Sequence, residues 1–284
     1  MEFRISGFAD EISDDLTVQL ESLENLGMKY VEMRGVDGGN LVFHSDAKVK
    51  EIKRRLDDHG IALSALGTPF GKIGITDDFD KHFDDFKRGI EIAHKMDCRN
   101  IRMFSFYIPN GKNAEYRDAV FERMGRFVNH AAVNDVVLLH ENEKGIYGEK
   151  ATECRELMDE FYGEHFKAVF DFANFVQAGQ DTIEAYELLK DHIAYIHVKD
   201  AIRSDGHVVP AGYGDGNVEE ILGRLFADGY SGFLSLEPHL SDFTGFASLE
   251  KGSGSVAGAG KKLSGFEAFK TAHDALEQIL KKLA

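Results

Sequence analysis

Several things are scarce in this sequence, and each shortage narrows what the protein does. Its 284 residues include 2 cysteines, Cys98 and Cys154, with no CxxC pairing, so a disulfide framework is not expected and a reduced compartment is. No run of about 18 apolar residues occurs, so no membrane-spanning helix is expected. The start, MEFRISGFADE, reaches acidic residues before any long apolar stretch, which argues against a signal peptide. Basic residues are outnumbered, 33 Lys and Arg against 49 Asp and Glu, and the net charge of −16 repels nucleic acid and anionic membrane surfaces. No GxGxxG turn follows the first apolar run, and no shift of composition marks a second domain. These absences lead us to expect a cytoplasmic globular protein with a small-molecule substrate, and with neither nucleic acid nor membrane as a partner.

What is present is alternation. Short β-branched or apolar runs, FRISGFA, KYVEMRG, IALSALG, NIRMFSF, DVVLLHE, FKAVFDF, IAYIHVKD and GFLSLEPH, are separated by stretches with 3.6-residue periodicity. Leu16, Leu20 and Leu23 share one helical face behind Ser13 as the expected N-cap, and Ser45 caps a helix with Val49, Ile52 and Leu56 inward. A Phe-rich helix over 79–93 and a last helix through Phe266, Phe269, Ala272 and Leu276 complete the pattern. Strict alternation implies right-handed βαβ crossovers, and units of about 35 residues fit a single-domain (β/α)8 TIM barrel over 1–284. A Gly/Ser-rich stretch, 241–262, falls between the eighth strand and the last helix; with Gly252, Gly254, Gly258 and Gly260 it reads as a lid or as a disordered loop.

Catalytic groups of such barrels sit at the C-terminal ends of the strands. The fifth run ends in His140-Glu141-Asn142-Glu143, the sixth in Asp171, the seventh in His197-Val198-Lys199-Asp200 and the eighth in Glu237-Pro238-His239. Each of these four ends therefore carries a metal-capable group, one βα unit from the next. A single Asp at a strand end is usually a helix cap, but four groups in register on successive strands point to a site. Three carboxylates and an imidazole form a hard, oxygen-rich donor set suited to one divalent ion, Mn²⁺ first, with Mg²⁺, Co²⁺ or Zn²⁺ as alternatives.

The stretches LLHENEKGIYG, VFDFANF, IHVKDA and LSLEPH resemble the strand-end motifs of the xylose isomerase-like TIM-barrel superfamily of sugar isomerases, epimerases and dehydratases. The resemblance runs from SGFADEIS onward and implies that Glu141, Asp171, His197 and Glu237 hold one metal, with Glu141 and Glu237 as acid and base on opposite faces of the substrate. Asn174, in DFAN, stands where ketohexose epimerases have a substrate-contacting histidine. A nuclease branch shares the fold but needs further histidines and a basic surface, which this chain lacks.

The implied chemistry is that of a metal-dependent carbohydrate isomerase or epimerase working through an enediolate on a ketose, sugar acid or inosose. A dehydratase using the same intermediate and a non-catalytic sugar-binding barrel are the alternatives. Lys199 has the strand parity of His197 and is expected to donate to an oxyanion or to pair with Asp200 or Glu237. Glu143 shares the parity of Glu141 as an alternative ligand. Arg34 and His239 are read as substrate-binding, Arg34 with an ion pair inside the barrel as its other role, Asp200 as support for the following loop, and His140 as structural. The Phe-rich helix is either core or a packing face of a homo-oligomer.

Overall fold

The computed structural model describes residues 3–241 and 263–284, and the Gly/Ser-rich segment with its four glycines lies almost wholly outside them. Eight parallel strands form the barrel: β1 (Arg4–Gly7), β2 (Tyr30–Met33), β3 (Ala62–Gly67), β4 (Asn100–Met103), β5 (Val137–Glu141), β6 (Phe166–Asp171), β7 (Ile193–Val198) and β8 (Phe233–Leu236). Hydrogen-bonded neighbours run in the order β1-β8-β7-β6-β5-β4-β3-β2. The ring closes by packing of β1 against β2 without a described backbone ladder between them. This is the (β/α)8 architecture that the alternation predicts.

Around the strands lie α1 (Leu16–Asn25), α2 (Asp46–Asp58), α3 (Phe79–Lys95), α4 (Asn113–Val133), α5 (Ala151–Phe161), α6 (Phe172–Gln177), α7 (Thr182–Leu189), α8 (Val218–Ala227) and α9 (Gly265–Leu283). Two-stranded hairpins, Gly35–Val36 with Gly39–Asn40 and Asp200–Ala201 with Val208–Val209, decorate the loops after β2 and β7. The N-cap of α1 is Asp15, whose carboxylate accepts from the Thr17 and Val18 amides, and the expected cap Ser13 instead accepts from the Asp15 amide. A carboxylate two positions on takes the cap because it also suits the positive end of the helix dipole. Ser45 caps α2 as expected. The Phe-rich helix is core: Phe86 is fully buried, with its ring centroid 4.6 Å from that of Phe127.

Period 2 in the strands decides what fills the barrel. The layer at its N-terminal end holds Tyr30, Val137, Leu139, Val169, Tyr195 and Phe233, with the Arg4 guanidinium 4.0 Å from the centre of the Phe233 ring. Above it the interior turns polar: Ser6 and Ser64 hydroxyls share a 2.6 Å bond, and Ser64 meets the Tyr195 hydroxyl at 2.8 Å. Asp171 on β6 and Ser235 on β8 are register partners of His197 on β7. The strands thus bring one polar layer to the C-terminal mouth at a common height.

Candidate metal centre

Glu141, Asp171, His197 and Glu237 converge there, all buried, each offering one donor atom within 4.8 Å of the others. Donors bound to one ion at about 2.2 Å are at most about 4.4 Å apart, so the set needs only sub-ångström contraction to share an ion. His197 Nδ1 lies 2.9 Å from Glu141 Oε1, and 3.9 Å from both Asp171 Oδ2 and Glu237 Oε2. Its other nitrogen, Nε2, lies 3.0 Å from Glu32 Oε2, which also accepts from the Ser235 hydroxyl at 2.7 Å. With the Nε2 proton directed to Glu32, Nδ1 is the nitrogen that faces the carboxylates.

Asp171 divides its labour. Oδ1 accepts from the Asn174 amide at 2.7 Å and caps α6, whereas the buried Oδ2 has no hydrogen-bond partner and faces the cluster. The nearest cation to this oxygen is the Lys199 ammonium at 3.2 Å, and an ion bound among the four donors would add a second. The reading of a lone strand-end Asp as a cap and the reading as a ligand are therefore both compatible with this residue. Asn142 ties the same strand ends together, donating to the Asp171 carbonyl and accepting from its amide.

A set of cations balances the carboxylates. Lys199 Nζ lies 2.8 Å from Glu237 Oε2 and 3.2 Å from Asp171 Oδ2; its partner is Glu237, and Asp200 turns away. Arg34 Nη1 donates to Glu237 Oε1 at 2.9 Å, while its Nε and Nη2 donate to Asp10 at 2.8 and 3.2 Å. Arg34 thus serves the ion pair inside the barrel and still lines the mouth. Arg102 Nε lies 3.3 Å from Glu141 Oε2 and 3.7 Å from Glu32 Oε1. Asn174 Nδ2 donates to Glu141 Oε1 at 3.2 Å and to the Asn142 carbonyl at 2.9 Å.

The charges follow from these contacts. Burial alone would strip His197 of its proton, but Glu141 and Glu32 outweigh it and hold the imidazole pKa well above the usual value. Burial would also raise Glu141, but His197 and Arg102 hold it down at about 2. Asp171 is raised to about 7 by burial, with Glu141 and Glu237 adding to the push and Lys199 opposing it. Burial likewise acts on Glu237, where Lys199 and His239 prevail and keep it well below the carboxylate range. The donor set therefore mixes firmly ionised carboxylates with one held near neutrality.

The remaining expectations sort by position. Glu143 shares the parity of Glu141 but lies one layer outward, where Lys72 Nζ meets it at 2.8 Å, and it is not part of the clustered donors. His239 has a left-handed backbone, φ 46, and its amide donates to Glu11 at 2.7 Å. Glu11, Glu237 and His239 make a second cluster of ligand-type atoms, but the Arg34 guanidinium stands 2.9 Å from Glu237 and 3.5 Å from Glu11, so a permanent cation already serves it. Burial pushes Glu11 up to about 7; it works against His239 as well, but Glu11 and Glu237 raise that imidazole to about 9. Asp200 accepts from the amides of Ala201, Gly212, Gly214 and Gly216, and so organises the loop after β7. His140 is buried with Nε2 2.9 Å from the Ser105 hydroxyl, away from the mouth. Asp10, Glu11, Glu32, Lys72 and Arg102 also belong to the site and are not among the candidates that the strand ends supply.

Residues 20–263 match the family model described as xylose isomerase-like TIM barrel. No curated protein matches the sequence. Among solved structures, the chain is similar to the IOLI protein with a bound zinc atom, at TM-score 0.75 and 17% identity over 99% of both chains. It is similar to an L-ribulose 3-epimerase, at TM-score 0.74 and 15% identity over 99% of this chain and 95% of that one. It is also similar to the probable 3-DHS dehydratase AsbF of Bacillus anthracis, at TM-score 0.71 and 17% identity over 98% and 99%. At these identities the likeness is one of fold. Among the described residues no helix is long and apolar enough to cross a membrane.

Proposed function

The chain belongs to the xylose isomerase-like TIM-barrel family, and from that membership we propose that it is a divalent-metal-dependent isomerase or epimerase of a small polyhydroxy carbonyl compound. The observation that carries the reading is the convergence of Glu141, Asp171, His197 and Glu237 from four successive strand ends, with the buried Oδ2 of Asp171 turned toward the other three. These four residues would hold one ion, Mn²⁺ by the hardness of the set, which when bound would polarise a carbonyl and its neighbouring hydroxyl. The zinc in the IOLI structure and the epimerase activity named for a second structural relative accord with this reading.

The protein's own residues supply the proton chemistry. Glu141 and Glu237 approach the mouth from β5 and β8, so a substrate lying between them meets a carboxylate on either face. For inversion one, as carboxylate, removes the proton beside the carbonyl, and the other, after taking up a proton from solvent, returns it to the opposite face. Lys199, already beside Glu237, donates to the oxygen that gains charge in the enediolate. Arg34 and Arg102 restrain Glu237 and Glu141, which limits the arc through which each carboxylate moves.

The test has two parts. Calorimetric titration of Mn²⁺ into chelator-stripped protein is expected to give one site per chain that His197→Ala removes. In D₂O, the Mn²⁺-loaded protein is expected to place deuterium beside the carbonyl of a ketose, ketohexuronate or inosose, and Glu141→Gln and Glu237→Gln are each expected to abolish it. Absence of a metal site, or of exchange in every substrate class with every divalent ion offered, would sink the reading. Loss of water from the same substrates would mark the dehydratase alternative.

A further inference from the structure

We infer that the substrate carries a carboxylate, that is, that it is a keto sugar acid and not a neutral ketose or polyol, and that Lys72 receives this group. The inference rests on the enolising site proposed above and deepens it.

Four permanent cations line the mouth: Arg34, Lys72, Arg102 and Lys199. Three are engaged within the barrel, Arg34 by Asp10, Glu11 and Glu237, Arg102 by Glu141 and Glu32, and Lys199 by Asp171 and Glu237. Lys72 differs. It reaches over the opening from the loop after β3, its described anionic partner is Glu143 alone, and this pair lies at the solvent edge with side-chain exposures of 10% and 18%. The lining sets these four cations against three carboxylates, Glu141, Glu143 and Glu237, a balance unlike that of the whole chain, whose net charge is −16.

The features that recognise an uncharged sugar are poorly represented. Neutral sugars lay their C–H faces on exposed aromatic rings, yet the chain has no tryptophan. Among the described residues Phe104 is the one Phe, Tyr or Trp side chain lining the mouth, and its ring is covered by the Lys72 ammonium at 4.3 Å and the Arg102 guanidinium at 4.6 Å. Among uncharged hydrogen-bonding side chains the lining offers Asn174, whose amide already donates to Glu141 and the Asn142 carbonyl. What the mouth presents to an incoming molecule is charge.

Lys72 is also held in place for the task. Gly71 before it has φ 86, its amide donates to His82 Nε2 at 2.8 Å, and its carbonyl accepts from the Phe106 amide at 2.9 Å. The Lys72 amide donates to the Pro69 carbonyl at 2.9 Å. A cation on a fixed backbone loses less entropy when it binds an anion. The enclosed space is about 10 Å³, room for about one water, so a substrate enters by parting Lys72 from Glu143. The carboxylate of the substrate then takes the place of the Glu143 carboxylate. A single lysine suits a monoanion, whereas a phosphate dianion calls for a cradle of amides, and the Gly71 amide is already committed.

The experiment compares D-fructuronate with D-fructose, which share the carbonyl and differ at carbon 6, by calorimetry on the Mn²⁺-loaded protein. The uronate is expected to bind at least tenfold more tightly, Lys72→Met to cut that preference below threefold, and Lys72→Arg to retain it. Equal affinities, no measurable binding of the uronate, or tighter binding of D-fructose 6-phosphate than of the uronate overturn the inference. Deuterium exchange run beside it separates the two readings. Exchange of D-fructose without a uronate preference defeats this inference and leaves the enolising site standing. A uronate preference without exchange defeats the enolising reading and leaves the anion site standing.

Discussion

Replacing Glu32 by Gln tests how the centre is built more sharply than deleting a ligand does. Glu32 is fully buried, touches none of the space a substrate would enter, and meets the donor set through His197 Nε2 at 3.0 Å. The exchange keeps size and shape but removes the charge that favours a proton on Nε2, so Nδ1 loses basicity and the ring loses its preferred orientation. Changes at such outer partners of a metal-binding histidine cost about 10–100-fold in affinity. The upper part of that range is expected, because Arg102, 3.7 Å from Glu32 and 3.3 Å from Glu141, would keep Glu141 as its one anionic partner and would draw a ligand oxygen away from the ion. A 100-fold loss is about 2.8 kcal/mol. Mn²⁺ calorimetry on chelator-stripped protein measures it, with Glu24→Gln as a control that alters an exposed glutamate paired to His59. Glu32→Gln binding within about threefold of the parent would refute the claim that Glu32 directs Nδ1 to the site.

His140 is held neutral by burial, which lowers its pKa to about 4 from the usual 6.5. The unfolded chain takes up a proton below about 6.5 and the folded chain does not until about 4, so stability conferred by this residue is intact above pH 6.5 and drains by about 3 kcal/mol as pH falls to 4. His140→Gln should flatten that part of a urea-denaturation profile against pH, and a profile as steep as the parent's would contradict the assignment. Gly71 and Gly38 both have φ 86, but a Cβ at Gly71 would strike the Phe104 carbonyl whereas one at Gly38 meets nothing within 4 Å. Left-handed strain costs about 1–2 kcal/mol in each alanine variant. Gly71→Ala should therefore lose clearly more stability than Gly38→Ala, and equal losses would show that the approach of the two loops is not as close as described.

The barrel was legible because its signals are local: a run of apolar residues, a cap and a period can each be read in a few residues. Misreadings were local too. Ser13 and Asp15 are both good caps and only the geometry of the turn chooses between them, and α8, over Val218–Ala227, begins at Asn217 without a side-chain cap hydrogen bond to announce it. At the site, the clustered donors come from ends of strands, where period 2 places them on one rim. Their neighbours do not. Arg102 sits between Ile101 and Met103 and reads as an outward position, Asp10 and Glu11 lie in a 3₁₀ turn, and Lys72 lies in a loop. Glu32 shares the inward parity of Tyr30, but its partner His197 is 165 positions away and no spacing rule joins the two. Parity could have flagged Arg102, since Asn100 and Phe104 share its face.

The joint between β1 and β2 has a consequence for how this protein can change. Elsewhere around the ring main-chain hydrogen bonds hold neighbouring strands whatever side chains they carry, but here the ends are fastened by Arg34 to Asp10 and Glu11 and by Gln19 to the Gly35 carbonyl. Arg34 also holds Glu237. A substitution that retunes Glu237 for a new reaction therefore pulls on a seam held by side chains and by the Asp37 amide on the Asp14 carbonyl, without a described strand ladder. The ends of β4, β5 and β6 are secured by their ladders and by Asn142, and there Arg102 restrains Glu141 between strands that a ladder already joins. Descendants of this sequence have more freedom to acquire new specificity on that side of the mouth, and the Arg34 side is where evolutionary experiments would most often end in an unfolded chain.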